Sequence, residues 1–456
     1  MAEALYRHFE DRRRESPAAE AVLDVDAGRR FTRDGLAALV DQVAGSVRAA
    51  ASEAGVVAVQ SENAPELIAA VLAAWRENLV PLPIDRERDV AEIETLARSL
   101  GIGMLLRGRG LERHAIPGVR AEIALPTEAA VLKLTSGTTG EPRAVAVAGP
   151  ALELGVSQIC STMGIRAGDR NLVTVPLAHS YAFDNVLGTL VMQGTPAVLV
   201  SDLVPRRLFS VVRETGVTVW PSVPLLLDVL SRSPAGGEAP LGSLRLVISA
   251  GAPLPATTRE NFAKRFHLRP RTFYGATECG GIAFDREADR EVPDGCVGRP
   301  LDGVSIDLLD GEDGVGRISV RSGSVALGTL PTASPEISAG RLLASDLGRL
   351  DEEGRLHLIG RVGQFVKIHG HKVYPIEVER VLRGLPGVLD AAVVPYARSD
   401  VSEGLRAIVA AGDGIDRATI ARGCERVLPS YKVPRSIEIR DEVPRNERGK
   451  LDRRRL

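Results

Sequence analysis

Apolar residues in the first two-thirds of the chain repeat one grammar. Residues 56–60 are a short run rich in β-branched side chains, after which Asn63, Ala64 and Pro65 open a helical pattern that runs to about residue 78. A second apolar run over 79–84 ends at Asp85, and the same order of strand, turn and helix recurs at 171–176 and 244–249. Strands that alternate with helices of this length predict parallel α/β layers. No repeat of fixed period underlies them.

The grammar changes after about residue 295. Residues 304–309 and 317–321 read as strands joined by a Gly-Glu-Asp-Gly turn, and Asp351-Glu-Glu-Gly354 reads as a hairpin turn between 347–350 and 355–359. A small antiparallel, β-barrel-like region is expected there. Gly360 opens the last stretch, with a helix over 375–382 that has Pro in its first turn, strands over 391–394 and 405–411, and a helix over 416–427. This α+β unit of roughly 95 residues is large enough to form its own domain. The expected organisation is α/β: a large N-terminal domain of layered α/β subdomains over 1–359 and a small C-terminal domain over 360–456.

Composition removes whole classes of function. The 456 residues are 44 % hydrophobic and 25 % charged, as in ordinary globular proteins. Lys plus Arg total 57 against 59 Asp plus Glu, so no basic excess points to nucleic acid. The end of the chain is locally basic, with Arg445, Arg448, Lys450, Arg453, Arg454 and Arg455 against Glu447 and Asp452. Cys160, Cys279, Cys296 and Cys424 form no C-x-x-C pair, which disfavours structural zinc and an oxidising compartment. The first fifteen residues lack an apolar core and no apolar run is long enough to span a bilayer, so a cytoplasmic enzyme without a membrane partner is expected. Six lysines (133, 264, 367, 372, 432, 450) remain in a chain that otherwise uses arginine, and each is therefore worth inspection.

The strongest local signal is Leu134-Thr-Ser-Gly-Thr-Thr-Gly-Glu-Pro-Arg143, directly after the apolar run 129–132. Gly137 and Gly140 allow close backbone approach, Thr135, Ser136, Thr138 and Thr139 supply hydroxyls, and Arg143 closes the segment with a cation. Backbone N–H groups in such a loop can cradle an anion. Other nucleotide and hydrolase signatures are missing: there is no G-x-x-x-x-G-K-[ST], no G-x-G-x-x-G, no G-x-S-x-G and no H-E-x-x-H.

With these residues the chain resembles the adenylate-forming superfamily of acyl- and aryl-CoA synthetases, peptide-synthetase adenylation domains and luciferases. The motifs occur in the family order over nearly the whole chain. The 135–143 segment is similar to the phosphate loop, and Pro176-Leu-Ala-His-Ser-Tyr181 to the His-bearing motif. Ala250-Gly-Ala-Pro253 and Tyr274-Gly-Ala-Thr-Glu278 resemble the adenine and magnesium segments. Ser345-Asp-Leu-Gly-Arg-Leu-Asp-Glu-Glu-Gly354 with Gly360-Arg361 resembles the ribose segment and hinge, and Pro444-Arg-Asn-Glu-Arg-Gly-Lys450 the catalytic-lysine motif.

The resemblance implies a role for each residue. Thr135, Ser136, Gly137, Thr138, Thr139, Gly140, Arg143 and Thr277 contact phosphate. Gly251, Ala252, Pro253, Tyr274 and Gly275 surround the adenine, Asp346 takes both ribose hydroxyls, and Arg361 adds a second ribose or phosphate contact. Glu278 holds Mg²⁺, a hard cation that prefers oxygen. His179 gates the carboxylate pocket, whose expected lining is Tyr181, Asp184, Asn185 and Gly188, with Asp184 pairing an amino or hydroxyl group of the substrate. Lys450 joins the carboxylate to the α-phosphate, Gly363 is the hinge of a mobile C-terminal lid, and Gly370 lies near a pantetheine arm. His369 and His371 form an H-x-H pair without companions for a metal site.

The expected activity is ATP-dependent formation of an acyl-adenylate, followed by transfer to a thiol. CoA is the first choice of acceptor, because Val373-Tyr-Pro-Ile-Glu-Val-Glu379 and Tyr431-Lys-Val-Pro434 resemble acyl/aryl-CoA ligases. A polar aryl or short functionalised acid is preferred as substrate. Two alternatives stay open: a stand-alone adenylating enzyme that loads a phosphopantetheine carrier protein in trans, and a catalytically weak nucleotide-binding homologue. The second alternative is motivated by Arg143 and Gly363, where the family usually has a lysine and a charged hinge residue. Asn446 replaces a common Thr, and 325–330 lacks the usual Gly-Tyr-aromatic stretch.

Overall fold

The computed structural model describes residues 2–119, 123–135, 143–233, 241–287, 292–293, 295–312, 314–368, 371–397, 403–412, 414–444 and 455. Its centre is a fourteen-stranded sheet. One half is largely parallel, with Leu246–Ser249 between Val219–Ser222 and Arg271–Ala276. Hydrogen bonding then passes without a break into antiparallel strands: Arg271–Ala276 turns back into Gly280–Phe284, which leads through Cys296–Pro300 and Leu356–Arg361 to Arg341–Leu350. The change of grammar predicted near residue 295 therefore lies earlier, at the hairpin turn 277–279.

Two smaller sheets complete the N-terminal part. A four-stranded sheet runs Val80–Asp85, Val56–Ser61, Met104–Arg107 and Glu112–Ala115. A three-stranded one joins Gly328–Leu330, Arg143–Ala148 and Ala129–Thr135. The helix predicted from Pro65 is Pro65–Arg76, with Pro in its first turn. It is buried from Pro65 to Trp75, as its nearly all-apolar composition requires. Trp75 Nε1 donates to Ala130 O at 2.8 Å and so ties this helix to the strand that leads into the 136–142 segment. Truncation of Trp75 to Ala would cost about 3–5 kcal/mol.

Two predicted boundaries shift. The strand expected over 171–176 is only Asn171–Val173, since Pro176 lacks an N–H and biases the residue before it. Gly360, expected to open the last stretch, instead lies inside the strand Leu356–Arg361, where it pairs with Leu347 while Arg361 pairs with Asp346. The hairpin turn at 351–354 is present, and Asp351 Oδ1 accepts the N–H groups of Glu353 and Arg355 at 3.0 and 2.9 Å.

The C-terminal part is α+β. Strands Val388–Ala397, Glu403–Ala411 and Ser436–Arg440 form one sheet with helices Pro375–Gly384 and Arg417–Val427, and Val366–Ile368 pairs antiparallel with His371–Val373. Its apolar core begins at Val366, whereas the buried clusters of the N-terminal part end at Leu356, so no buried cluster among the described residues spans both. The two parts meet through small notches. Arg380 Nη2 donates to Leu358 O at 2.8 Å, and its guanidinium sits where a Cβ on Gly295 would be. The Tyr374 ring covers Gly360, where a Cβ would approach to 2.8 Å.

Candidate active site

His179 follows the parallel strand Asn171–Val173, Gly251 follows Leu246–Ser249 and Thr277 follows Arg271–Ala276, beside the place where the main sheet changes from parallel to antiparallel, and Asp346 and Arg361 lie on its antiparallel strands. Open α/β sheets bind ligands at such crevices. After Leu246–Ser249 the chain turns through Gly251, Ala252 and Pro253 into helix Ala256–Phe266. Gly251 has φ +84°, a conformation that a side chain would strain. After Arg271–Ala276 come Thr277 and Glu278, and the strand Gly280–Phe284 starts the return. Gly275 lets the hairpin close tightly, because a Cβ there would be 2.6 Å from Gly280 O.

One wall of the crevice is a carboxylate held by two donors. Asp346 Oδ2 accepts the Tyr274 hydroxyl at 2.8 Å, and its Oδ1 accepts Arg361 Nε at 2.9 Å. Burial, reinforced by the charge of Asp346, raises the Tyr274 pKa well above the ordinary value, so the phenol stays a donor. Each carboxylate oxygen keeps further acceptor capacity for vicinal hydroxyls.

Glu278 differs. Burial pushes its carboxyl above the ordinary value, and the negative charges of Asp346 and Glu336 push the same way. Its backbone is pinned: Ala326 N–H donates to Glu278 O at 2.8 Å, and Ser324 Oγ donates to Cys279 O at 2.9 Å. A half-buried carboxylate in a negative field favours a cation. One carboxylate with the Thr277 hydroxyl and phosphate oxygens beside it is a donor set that suits Mg²⁺. Among the described residues no group of three or more His, Cys, Asp and Glu is placed to hold a metal by itself.

His179 lies at the entrance to a helix that begins α-helical over Ser180–Ala182, becomes π-helical over Phe183–Gly188 and ends α-helical over Thr189–Gln193. Single-turn π segments occur frequently at functional sites. His179 Nε2 is 3.0 Å from Asp85 Oδ2, at the end of strand Val80–Asp85. The segment before it is clamped by Asn63, whose Oδ1 accepts Leu177 N–H at 2.7 Å and whose Nδ2 donates to Val175 O at 3.0 Å. Tyr181 donates its hydroxyl to Ile248 O at 3.2 Å and stacks on Phe273, with ring centroids 5.7 Å apart. Asn185 is fully buried, and its Nδ2 donates to Tyr181 O at 2.9 Å.

Two of the expected pocket residues have neighbours inside the protein. The sequence reading gives Asp184 a partner on the substrate; the structure gives it one inside the protein, because Lys133 Nζ donates to Asp184 Oδ1. Gly188, expected to line the pocket, faces the helix Gly149–Met163: a Cβ there would be 2.5 Å from Val156 Cγ2, so the glycine serves close helix packing.

Thr135 and Arg143 are paired residues on adjacent strands and flank residues 136–142. Ser136, Gly137, Thr138, Thr139 and Gly140 lie outside the described residues, as do Gly370, His369 and Lys450. Gly363, with φ +75°, follows Arg361 in an exposed turn. Three further residues at the site escape the sequence reading. Asp85 holds His179, Arg88 donates from Nη2 to Thr135 O at 3.3 Å, and Lys133 pairs with Asp184. Only Lys133 left a signal, as one of six lysines in an arginine-rich chain.

Comparison with known proteins bears on the family and the fold. The family model described as AMP-binding enzyme matches residues 9–123 and 110–330, and the model for the AMP-binding enzyme C-terminal domain matches 377–450. The chain is 27 % identical to a 3-[(3aS,4S,7aS)-7a-methyl-1,5-dioxo-octahydro-1H-inden-4-yl]propanoyl:CoA ligase of Mycobacterium tuberculosis, over 97 % of this chain and 96 % of that one. It is 29 % identical to a 3,4-dihydroxybenzoate–[aryl-carrier protein] ligase of Bacillus anthracis, over 80 % and 81 % of the two chains. The fold matches that of ATP-bound MatB from Rhodopseudomonas palustris with a TM-score of 0.87 at 23 % identity, covering 100 % of this chain and 98 % of the other. No described helix is long and apolar enough to cross a membrane. With both models matched in order along the chain, the protein belongs to the family of AMP-binding enzymes and carries that family's C-terminal domain.

Proposed function

We propose that the protein activates a carboxylic acid with ATP and passes the acyl group to the thiol of CoA. The observation that carries this reading is the wall formed by Tyr274, Asp346 and Arg361 next to Glu278, a carboxylate whose surroundings favour a cation. Asp346 takes the ribose hydroxyls, with Tyr274 and Arg361 fixing its orientation. Gly251, Ala252, Pro253 and Gly275 receive the base. Residues 135–140, with Arg143 and Thr277, hold the phosphates. Mg²⁺ at Glu278, when bound, neutralises phosphate charge as it develops.

The acid carboxylate attacks the α-phosphorus in line and pyrophosphate leaves from the opposite side, giving acyl-AMP. Most of the catalysis is positioning and charge stabilisation. His179, oriented by Asp85, borders the carboxylate; Lys450 brings an ammonium to both anions, where a compact point charge fits better than a planar guanidinium. In the second half-reaction the C-terminal part, taken as 360–456, turns about Gly363, Lys450 withdraws, and a thiolate directed past Gly370 attacks the acyl carbon and expels AMP. The identity to an aryl-carrier protein ligase favours one second reading, in which the thiol belongs to a phosphopantetheine carrier in trans.

Pyrophosphate exchange over a panel of carboxylic acids tests the first half-reaction. Lys450→Ala is expected to lose exchange by about 10²- to 10³-fold while thiolysis of a supplied acyl-adenylate survives. Equal loss of both halves would contradict the assigned role. AMP release with CoA against a holo-carrier protein separates the two acceptors.

A further inference from the structure

Two loops of the four-stranded sheet reach across to residues of the proposed site. Asn63, just after strand Val56–Ser61, holds Val175 and Leu177. Residues 85–88 close strand Val80–Asp85 with a tight turn, in which Arg88 N–H donates to Asp85 O at 3.1 Å. The two strands pair in parallel with Ser61 beside Asp85, and every residue of both is buried. The turn is therefore mounted on rigid elements.

From that mount the turn makes two contacts, one with each segment of the site. Asp85 Oδ1 accepts Glu87 N–H at 3.2 Å, which fixes the carboxylate on its own turn, and Oδ2 lies 3.0 Å from His179 Nε2. Arg88 Nη2 donates to Thr135 O at 3.3 Å, where strand Ala129–Thr135 leads into 136–142, and Arg88 Nη1 pairs with Glu92 Oε2 at 3.6 Å. From behind, Gln60 Nε2 reaches Arg86 O at 3.1 Å and Arg88 O at 3.2 Å, with Asp85 O at 3.5 Å. Gln60 is 3 % exposed, and no described residue donates to its Oε1. A buried amide with an unmatched oxygen adds little to stability. What Gln60 does is hold the carbonyls of one turn in place.

An ionised carboxylate only accepts, so Asp85 puts the ring proton on Nε2 and leaves Nδ1 unprotonated in the neutral ring. We propose that residues 85–88 are a positioning element: braced by Gln60, the turn sets the His179 ring through Asp85 and the start of the proposed phosphate loop through Arg88. One element thereby fixes the spacing between the carboxylate side and the phosphate side, to which an in-line attack is highly sensitive. The inference rests on the adenylation reading above for what those two sides bind.

Exchange kinetics with the best acid of the panel, split into KM for acid and KM for ATP, test it. Asp85→Ala is expected to raise KM for the acid by about tenfold and to leave KM for ATP within about twofold. Asp85→Asn keeps an oxygen acceptor for Nε2–H and recovers most of that loss. Arg88→Met does the converse, raising KM for ATP by about tenfold, and Gln60→Leu raises both by about threefold or more. In a His179→Ala background, Asp85→Ala adds nothing further. Nitrogen NMR of the imidazoles, at a pH where histidine is neutral, needs no turnover. The His179 signal, assigned by its loss in His179→Ala, shows an Nε2–H ring in the wild type, and Asp85→Ala removes that preference. A cooperatively folded Asp85→Ala that keeps the wild-type KM for the acid, raises both KM values equally, or costs as much without His179 as with it would overturn the inference. Should the variants fail to fold, the wild-type spectrum decides, and an Nδ1–H ring at His179 overturns it. No exchange by the wild type with any acid would overturn the adenylation reading instead, while the spectrum still judges the hold of Asp85 on His179.

Discussion

Two acidic side chains of the N-terminal part, Glu278 and Asp184, handle charge in opposite ways. At the proposed nucleotide end, burial, reinforced by the charges of Asp346 and Glu336, pushes the carboxyl of half-buried Glu278 up. A more deeply buried carboxylate, Asp184, is matched by a lysine of the protein itself. One carries an imbalance, whereas the other has its charge cancelled within the protein. An imbalance gives affinity for an obligatory, highly charged reactant.

This contrast breaks most readily at Glu278. Glu278→Gln is expected to slow pyrophosphate exchange by about 10²- to 10³-fold and to flatten its dependence on magnesium, measured as initial rate against metal concentration. A full rate with intact metal dependence would remove the nucleotide end from the comparison. Asp346→Ala should raise KM for ATP by about 10- to 100-fold with a smaller change in kcat, since it removes charge-assisted bonds made before the chemical step. Tyr274→Phe deletes one of the two donors on Asp346 and should raise the same KM by only about 3- to 10-fold.

The smallest effect is on stability. Glu278 binds its proton more tightly folded than unfolded, so its burden on the ligand-free protein is absent below the ordinary carboxylate range. The burden grows as pH rises through the raised folded value and stays constant above it. Glu278→Gln should therefore raise the melting temperature of the ligand-free protein at neutral pH by about 1–2 °C and remove that part of its pH dependence, as read by calorimetry.

Local chemistry was legible in the sequence, and partnership across the fold was not. The helix from Pro65, the strands that end near Asp85 and Ser249 and the 351–354 turn follow from spacing and from Pro, Gly and Asp placed at boundaries. The motifs also named Tyr274, Asp346 and Arg361, which the fold joins in one hydrogen-bonded wall. The pairing of Lys133 with Asp184 spans 51 positions and that of His179 with Asp85 spans 94, and nothing in the local pattern of either segment specifies the other. The continuity of the main sheet was hidden for a related reason. A hairpin turn at 277–279 looks the same in sequence whether it ends a domain or reverses the direction of a sheet that carries on.

The notches at Gly295 and Gly360 have a mechanical consequence. Among the described residues, buried apolar clusters stop on one side of this seam and resume on the other, and a guanidinium seated in a notch and a phenol ring laid on bare backbone cross it. Such a joint fits like a dovetail without glue: it fixes an angle while engaged and surrenders little oily surface to water when it parts. The turn proposed at Gly363 would therefore open this joint with neither half losing its own interior.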